Sequence, residues 1–405
     1  MAVGGSVLPP LGAIPGVRLG VVAAGIRKAG RPDLVVMTCE PGTSAAAVFT
    51  QSHFAAAPVE VARAHLAQAA PRALVINTGV ANAATGEQGL RDAHAVCRAL
   101  AGELGCRPEE VLPFSTGVIG EPLPLPALLA GLPQAVAQAR DDGWLAAAHG
   151  IMTTDTVPKA SSAKVRFGDV IAGMTGIAKG SGMIHPNMAT MLAFIATDVA
   201  ASAEVLDSAL RRAVGPTFNA ISVDGDTSTN DAVVLLATGR SGARLAAAEG
   251  ADYERFAAVL ETVCGELAHA IVRDGEGATK FVRITVSGGR TEEECRAVAH
   301  TIATSPLVKT ALFAGDPNWG RILMAVGRAP IALHDPRAVV VTLNGVRVFA
   351  GGAVDPDYRE EHGQKALAGS EVAIGVDLGQ GHALATVFTC DLSHDYVRIN
   401  GSYRT

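Results

Sequence analysis

Apolar and polar positions along the chain predict helices separated by short strands. From Glu87 to Leu104 the apolar residues recur at the spacing of an amphipathic helix, and Gly105 is a residue type that commonly ends one. The same reasoning predicts helices over 126–139 (interrupted near Gly131 and restarted at Pro133), over 141–148, from the N-cap Ser202 to about Val214, and over 252–272. Helices are therefore expected in both halves of the chain.

Runs rich in β-branched residues predict strands, most of them in the second half. The run 338–349 is interrupted by Asn344-Gly345, a pair that favours a two-residue type I′ turn, so a hairpin is expected here. The runs 371–379 and 381–392, joined around Gln380-Gly381, are interpreted as a second hairpin. Further strands are expected over 72–77, 231–239 and 281–289. Because helices and strands occur in blocks and not as regular βαβ units, the pattern predicts an α+β fold built in layers.

Composition limits the classes of protein to consider. The 405 residues are 49% hydrophobic and 18% charged, which is enough for a sizeable core. The net charge is −6 and no stripe of Lys and Arg occurs, so neither a nucleic acid nor an anionic membrane surface is an expected partner. The longest apolar runs are shorter than the roughly 20 residues that span a membrane.

Cysteine and histidine positions argue against a metal site and against disulfides. The six cysteines form no CxxC pair, and the eleven histidines show no HxH or HxxxH spacing. Scattered thiols are typical of buried residues in a reducing compartment. The first residues also lack the order of charge, apolar core and cleavage site of a signal peptide. We therefore expect a cytoplasmic metabolic protein without a metal.

The segment KGSGMIHPNMATMLAFIATD (179–198) combines a glycine-containing polar loop with an apolar run. A phosphate-binding loop of the Walker type needs its lysine after the second glycine, whereas Lys179 precedes Gly180. Thr190 stands where the loop meets the apolar run. It is either the ordinary first residue of a core strand or a nucleophile.

A threonine nucleophile needs a base beside it, and its own α-amine can serve. The unperturbed pKa of an α-amine, about 7.7–8.0, suits neutral pH. That amine exists only if the chain is cut between Ala189 and Thr190, for example by an N-to-O acyl shift and hydrolysis of the ester. Acyl transfer also needs donors for an oxyanion, and Ser115-Thr116-Gly117 could supply a hydroxyl and a backbone N–H. Their simpler interpretation is a strand-ending turn.

The run 179–198 closely resembles the self-cleavage region of the ornithine acetyltransferase family, the glutamate N-acetyltransferases of arginine biosynthesis. Six further segments match that family in order and at roughly its spacing: 77–89, 115–124, 151–159, 222–231, 307–322 and 389–405. The chain departs from the family at Val80, where a polar residue is usual, at Arg398, where an aromatic residue is common, and at Gly401, where alanine is. None of these departures touches the nucleophile or the oxyanion residues.

The resemblance implies a layered αββα-like fold, shared with DmpA-type aminopeptidases, and a precursor that cuts itself into chains 1–189 and 190–405. Thr190 would take the acetyl group of N2-acetylornithine and pass it to glutamate by a ping-pong mechanism, without a metal or organic cofactor. Thr116 and Gly117 would hold the oxyanion. The residues implied to contact the substrate are Thr153, Lys179, Thr190, Glu276, Asn400 and Thr405. The implied assembly is α2β2.

Several alternatives stay open from the sequence. Acetyl-CoA could be a second acetyl donor, and Thr154 could contact the substrate in place of Thr153. Glu276 could be a solvated turn carboxylate and Lys179 a surface charge. The rival functions are a self-processed amidase or aminopeptidase, in which water is the acceptor, and a binding protein that retains the scaffold but stays uncut.

Overall fold

A computed structural model describes residues 2–5, 8–26, 30–185 and 191–402. Its strands are β1 (Val17–Val22), β2 (Leu34–Cys39), β3 (Ser44–Phe49), β4 (Ala73–Val80), β5 (Val111–Val118), β6 (Lys159–Phe167), β7 (Val170–Lys179), β8 (Leu192–Thr197), β9 (Ala200–Ala201), β10 (Ile221–Ser222), β11 (Ala232–Ala237), β12 (Arg244–Leu245), β13 (Phe281–Gly289), β14 (Val340–Leu343), β15 (Val346–Ala350), β16 (Ala353–Val354), β17 (Glu371–Asp377) and β18 (Ala383–Cys390). Its helices are α1 (Ala57–Leu66), α2 (Gly86–Leu104), α3 (Leu125–Ala137), α4 (Trp144–Gly150), α5 (Ala203–Val214), α6 (Gly250–Arg273), α7 (Glu292–Ala303), α8 (Pro306–Ala314), α9 (Trp319–Gly327), α10 (Glu360–Ala366) and α11 (His394–Ser402).

Two sheets pack face to face, with strand orders β1-β2-β4-β5 and β3-β11-β8-β7-β6. Their inner faces share one core, in which the rings of Phe114 and Phe194 meet edge to face with centroids 5.0 Å apart. Helices α2 and α3 cover the outer face of the first sheet, and α5 and α6 cover the outer face of the second. This is an αββα arrangement, so the predicted α+β layered fold is confirmed.

Strand β8 lies at the centre of this arrangement. All six of its residues, LAFIAT, are buried, because β7 pairs with it antiparallel and β11 pairs with it parallel. Phe194 packs in the core between the sheets, whereas Ile195 packs in the core under α5 and α6. A strand that is buried on both faces shows no apolar–polar alternation. This explains the uninterrupted apolar run in the sequence.

A seven-stranded sheet, β10-β18-β13-β17-β14-β15-β16, forms a second core with α7, α8 and α9. The hairpin predicted at Asn344-Gly345 is confirmed, since it joins β14 to β15 and both residues have positive φ, 45° and 82°. The hairpin predicted from 371–379 and 381–392 is wrong. Strand β13 lies between β17 and β18, parallel to the first and antiparallel to the second.

The link from β17 to β18 crosses the end of β13 instead of forming a tight turn. Leu378 and Gln380 donate their backbone N–H groups to the carbonyls of Ser287 and Gly288, each at 2.8 Å. A Cβ at Gly381 would lie 2.1 Å from a backbone oxygen of β13, so glycine is needed for this close passage. The glycine in the link marks a backbone crossing, which local sequence does not distinguish from a turn.

Helix α3 is continuous, so the predicted break near Gly131 is wrong. Pro133 lies inside the helix, where it lacks an N–H to donate. Gly131 is buried, and a Cβ there would lie 2.9 Å from Cδ2 of Leu34. The glycine therefore allows α3 to pack closely on the sheet.

The predicted ends of two other helices are confirmed. Gly105 follows α2 with a φ of 63°, in the left-handed region that suits a C-terminal glycine. The side chain of Ser202 accepts a hydrogen bond from the N–H of Val205 and caps α5. The helix expected over 141–148 begins three residues later, as α4. Within the described ranges, no helix is both long enough and apolar enough to cross a membrane.

Candidate active site

A pocket of about 380 Å³ lies at the N-terminal end of β8, within the size range of small-molecule sites. The ends of β5 and β7, the loop 224–231 before β11, and helix α11 contribute to its wall. The sequence-predicted residues on this wall are Thr116, Gly117, Thr153, Lys179, Glu276 and Asn400. Thr154 lines the pocket as well, so the choice between Thr153 and Thr154 stays open.

Thr116 and Gly117 lie near the end of β5, where that strand pairs with β4. Gly117 has a φ of 137°, and a Cβ there would lie 2.2 Å from the carbonyl carbon of Gly79, so a larger residue does not fit. Lys179 donates from Nζ to Oγ1 of Thr116 at 3.2 Å. A hydroxyl, a glycine and an ammonium thus meet on one side of the pocket. The oxyanion role of Thr116 and Gly117 stays a prediction.

Lys179, the last residue of β7, lines the pocket and is partly buried. Burial lowers the pKa of Lys179, while Asp155, Asp231 and Glu276 each act to raise it. Carboxyl groups around one ammonium give the pocket a mixed charge, which suits an amino-acid ligand with a carboxylate and an amine.

A buried ion network, which the sequence analysis did not predict, lies behind the pocket wall and bonds residues of that wall. Lys159 donates to Asp155 at 2.6 Å and to Asp274 at 2.7 Å, and all three side chains are almost fully buried. The Asp155 carboxylate also accepts the backbone N–H groups of Thr153 at 2.9 Å and Gly180 at 2.8 Å. The network therefore ties the Thr153 loop to the end of β7.

The two lysines near Asp155 favour the ionised form of its carboxyl group. Burial alone would raise the pKa of Asp155, but Lys159 and Lys179 together with its hydrogen bonds lower it below the ordinary value. Asp155 and Lys159 lie inside the matched segment 151–159, and this match is the feature of the sequence that could have indicated them. Their third partner, Asp274, is more than a hundred residues away in sequence, and no local pattern indicates it.

Glu276 is a buried side chain and not a solvated turn carboxylate, being 6% exposed. Asn400 of α11 donates from Nδ2 to Oε2 of Glu276 at 2.7 Å. A Cβ at Gly182 would lie 2.5 Å from the Glu276 carboxyl carbon, so the second glycine of KGSG leaves room for this carboxylate. The structure brings Glu276 and Asn400 together on the pocket wall, and their contact with substrate stays a prediction.

Asp224 fixes the loop that follows β7. Its carboxylate accepts the backbone N–H groups of Met183 at 2.6 Å and Ile184 at 2.9 Å. Met183 has a φ of 56°, an uncommon conformation for a residue with a side chain. Tyr396 of α11 donates to the same carboxylate at 3.4 Å, and burial together with Asp224 raises the pKa of Tyr396. Two matched segments, 222–231 and 389–405, thus meet at the loop before β8.

The loop before β11 is also bound to the end of β5. Asn230 donates from Nδ2 to the carbonyl of Ala81 at 2.6 Å and to that of Ser115 at 2.9 Å. The Ser115 hydroxyl in turn donates to Oδ1 of Asn77 at 2.6 Å. These side-chain bonds hold the segments 77–89, 115–124 and 222–231 at one edge of the two packed sheets.

Three predicted site residues, Ala189, Thr190 and Thr405, lie outside the described residues. The residues that directly follow Thr190 are described: Met191 and Leu192 line the pocket, and the carbonyl of Met191 accepts the N–H of Ala232 at 2.9 Å. In the part of the chain that the structure describes, no group of three or more His, Cys, Asp or Glu side chains is arranged to hold a metal ion.

Comparison with known proteins relates the whole chain to one family. The sequence model of the ArgJ family matches residues 18–405. The arginine biosynthesis bifunctional protein ArgJ of Methylococcus capsulatus is 55% identical over 392 residues, which cover 97% of this chain and 96% of that protein. The protein of the same name from Pseudomonas syringae pv. tomato is 49% identical over 406 residues, which cover 100% of both chains.

A solved structure supports the same relationship. The crystal structure of the arginine biosynthesis bifunctional protein ArgJ from Bacillus halodurans superimposes with a TM-score of 0.50 at 37% sequence identity. The match covers 98% of that chain but 52% of the present one. The similarity therefore extends from sequence to fold over about half of the molecule.

Proposed function

Because the chain belongs to the ArgJ family, we propose that it transfers the acetyl group of N2-acetylornithine to glutamate. Before doing so, it cuts itself between Ala189 and Thr190 into chains 1–189 and 190–405, which stay together. The observation that carries the proposal is the pocket at the start of β8, where Thr116, Gly117 and Lys179 lie together and Glu276 is also present.

In the first half-reaction the Thr190 hydroxyl attacks the acetyl carbonyl carbon, and its proton moves to the α-amine of Thr190. Thr116 and Gly117 hydrogen-bond the oxyanion of the tetrahedral intermediate. The bond between the acetyl carbon and the ornithine α-nitrogen then breaks, and the ammonium returns its proton to that nitrogen. Ornithine leaves, and the acetyl group remains as an ester on Thr190.

The second half-reaction repeats these steps with another amine. The neutral α-amine of glutamate attacks the ester carbonyl and loses a proton to the Thr190 α-amine. The ester bond breaks, the Thr190 oxygen regains a proton, and N-acetylglutamate leaves. Lys179 complements a substrate carboxylate, while Glu276 complements a cationic group such as the δ-ammonium of acetylornithine. Thr153, Asn400 and Thr405 add hydrogen bonds.

The names of the relatives contain the word bifunctional, and this favours a second activity. We extend the proposal to acetylation of glutamate from acetyl-CoA through the same acetyl-Thr190 ester. We also propose a cytoplasmic enzyme with two copies of each chain. Light scattering of the purified protein tests the assembly: a mass near twice 41.3 kDa supports α2β2, and a mass near 41.3 kDa contradicts it.

The test of self-processing is an intact mass with N-terminal sequencing. Two chains, the second starting TMLAFIATD, are expected, and Thr190→Ala should leave one uncut chain. Acetylornithine alone, quenched rapidly, should then add one acetyl mass to chain 190–405. An uncut wild-type chain, or no adduct, would contradict the proposal.

The acceptor separates the proposed reaction from its rival. If the protein is an amidase or aminopeptidase, ornithine is released at the same rate with and without glutamate. In the proposed transferase, glutamate accelerates steady ornithine release and acetylglutamate appears in equal amount. Replacing acetylornithine with acetyl-CoA in the same assay tests the second donor.

A further inference from the structure

Asp231 is a buried carboxyl group at the start of β11 to which the mechanism above gives no role. Strands β8 and β11 are parallel, and Leu192 is opposite Ala232 in their register. The N–H of Ala232 bonds the carbonyl of Met191 at 2.9 Å. Asp231 directly precedes Ala232 in the sequence, just as Thr190 directly precedes Met191.

The carboxyl group of Asp231 lines the pocket, yet one of its oxygens has no partner. The residue is 3% exposed, and the part of the chain that the structure describes offers no hydrogen bond to Oδ2. Ser228 hydrogen-bonds the carboxyl group from the same loop. A buried oxygen without a protein partner is uncommon, and a catalytic role is one of the explanations for such a group.

Among the residues that the structure describes, Asp231 forms no ion pair. Lys179, at the end of β7, is the cation that acts on it. Asp224, Asp226 and Glu276 also line the pocket and are all acidic. Burial raises the pKa of Asp231 well above its ordinary value, with Lys179 and Ser228 acting in the opposite direction. The pocket therefore holds an unused hydrogen-bonding site for a cationic or neutral amine.

We propose that Asp231 is a positioning residue that binds the α-amine released at Thr190 and orients it toward the Thr190 hydroxyl. This inference rests on the proposed function, because the amine exists only after the cut. In the precursor, position 190 has a neutral amide in place of an amine. After the cut, Oδ2 of Asp231 accepts a hydrogen bond from the new ammonium or amine, and no covalent bond of Asp231 changes.

The pairing predicts a specific effect on the pH profile. A carboxylate beside an ammonium raises the pKa of the amine, because the opposite charge favours the charged form. The amine must be neutral to act as a base, so its pKa sets the acid limb of kcat/KM. Replacing the carboxylate with a neutral amide should therefore move this limb to lower pH, whereas a merely structural role would leave it in place.

The test uses Asp231→Asn in the full chain, with Asp198→Asn as the matched control. Asp198 is a buried carboxyl group at the other end of β8, its pKa is also raised by burial, and it accepts the N–H of Gly173 at 2.8 Å. We expect Asp231→Asn to be cut, to lose up to roughly 100-fold in kcat with little change in KM, and to show the shifted acid limb. Asp198→Asn should keep the wild-type kcat and limb.

Asp231→Ser is the second neutral variant, and Asp231→Glu tests whether a carboxylate restores the wild-type limb. A cut Asp231→Asn enzyme with wild-type kcat and limb would overturn the proposal. Neutral variants that both stay uncut or unfold would also overturn it, because Asp231 would then serve cutting or folding. Failure of the proposed function is distinct: the wild-type chain itself would stay uncut or take no acetyl group.

Discussion

Two aspartates, Asp231 on the pocket wall and Asp155 behind it, are both buried but have opposite surroundings. Asp155 is bonded to Lys159 and accepts two backbone N–H groups, and these contacts lower its pKa despite burial. Asp231 has Ser228 and a more distant Lys179 as partners, and burial raises its pKa. One of its oxygens has no hydrogen-bond partner among the described residues. Asp155 thus has its charge satisfied within the protein, whereas Asp231 keeps one oxygen without a partner in the described part of the chain.

This difference distinguishes a carboxylate that positions loops from a carboxyl group that can bind a reacting group. A buried carboxylate that is paired with a cation and bonded through both oxygens, as Asp155 is, can hold loops in place. A buried carboxyl group with an unpaired oxygen costs stability, and it gains a partner when a ligand or a new chain end arrives. The comparison therefore assigns the Asp155 network to positioning Thr153 and Gly180, and Asp231 to the reacting amine.

The largest effect is expected from Lys159→Met, which leaves Asp155 and Asp274 as buried carboxylates without their shared cation. Removing one partner of a buried pair typically costs about 3–5 kcal/mol in the free energy of unfolding. Lys309→Met is the matched control, because Lys309 is equally buried but bonds the Thr389 hydroxyl at 2.9 Å and a backbone carbonyl, not a carboxylate. It should lose about 1–3 kcal/mol.

Urea unfolding of both lysine variants in the uncut Thr190→Ala background measures these costs without the complication of two chains. If Lys159→Met and Lys309→Met lose the same free energy of unfolding, the comparison of Asp155 with Asp231 fails. The unpaired carboxylates of Asp155 and Asp274 would then add no cost of their own. A larger loss for Lys159→Met, recovered in part when Asp155→Asn is added to it, would locate the cost in the unpaired charge.

The pH dependence of stability distinguishes the two aspartates more finely. The pKa of Asp155 in the folded protein lies below its unfolded value of about 3.9. The ionised carboxylate therefore contributes fully to the free energy of unfolding above about pH 3.9, and this contribution is lost as the pH falls through the folded pKa. Asp155→Asn should therefore cost most stability near neutral pH, and the difference from wild type should shrink below about pH 4. A difference that is constant with pH, in urea unfolding from pH 3 to 7, would contradict the ionised state of Asp155.

Sequence reasoning located most of the pocket because its residues belong to matched segments. Thr116, Gly117, Lys179, Glu276 and Asn400 were predicted by resemblance, and the fold brings them together. Periodicity alone did not mark any of them. It predicted the ends of α2 and α5 and the Asn344-Gly345 turn, which depend on neighbours in sequence.

The features that sequence reasoning missed depend on distant residues. Asp274 bonds Lys159 across more than a hundred residues of sequence. Strand β13 lies between β17 and β18 in the sheet, although it precedes both of them in the sequence and α7 to α10 intervene. The glycine at position 131 indicated a break, but tertiary packing on Leu34 required it. In each case the local signal was real, and a contact formed by the fold determined its meaning.

A smaller effect, confined to substrate binding, is expected from Gly182→Ala. The added Cβ would lie 2.5 Å from the Glu276 carboxyl carbon, so the carboxylate must move. Displacement of this kind typically costs about 1–3 kcal/mol, and KM for acetylornithine should rise about tenfold. Gly102→Ala is the control: position 102 lies in α2 with open space around it, and alanine there should add about 0.5–1 kcal/mol of stability and leave KM unchanged. An unchanged KM in Gly182→Ala would argue that Glu276 does not contact the substrate.

The smallest effect is a gain in stability, expected from Asp231→Asn in the uncut Thr190→Ala background. Burial raises the pKa of Asp231 in the folded protein. The contribution of this carboxyl group to the free energy of unfolding is therefore fully present below the unfolded pKa of about 3.9 and is lost as the pH rises toward the folded pKa. The neutral amide avoids this loss, and its Tm should exceed that of Thr190→Ala by an amount that grows from pH 4 to 7. In the cut enzyme the ammonium at Thr190 stabilises the Asp231 carboxylate, so the gain should disappear or reverse. Thermal unfolding of the four proteins decides this: a gain of the same size before and after the cut would mean that Asp231 never meets the amine.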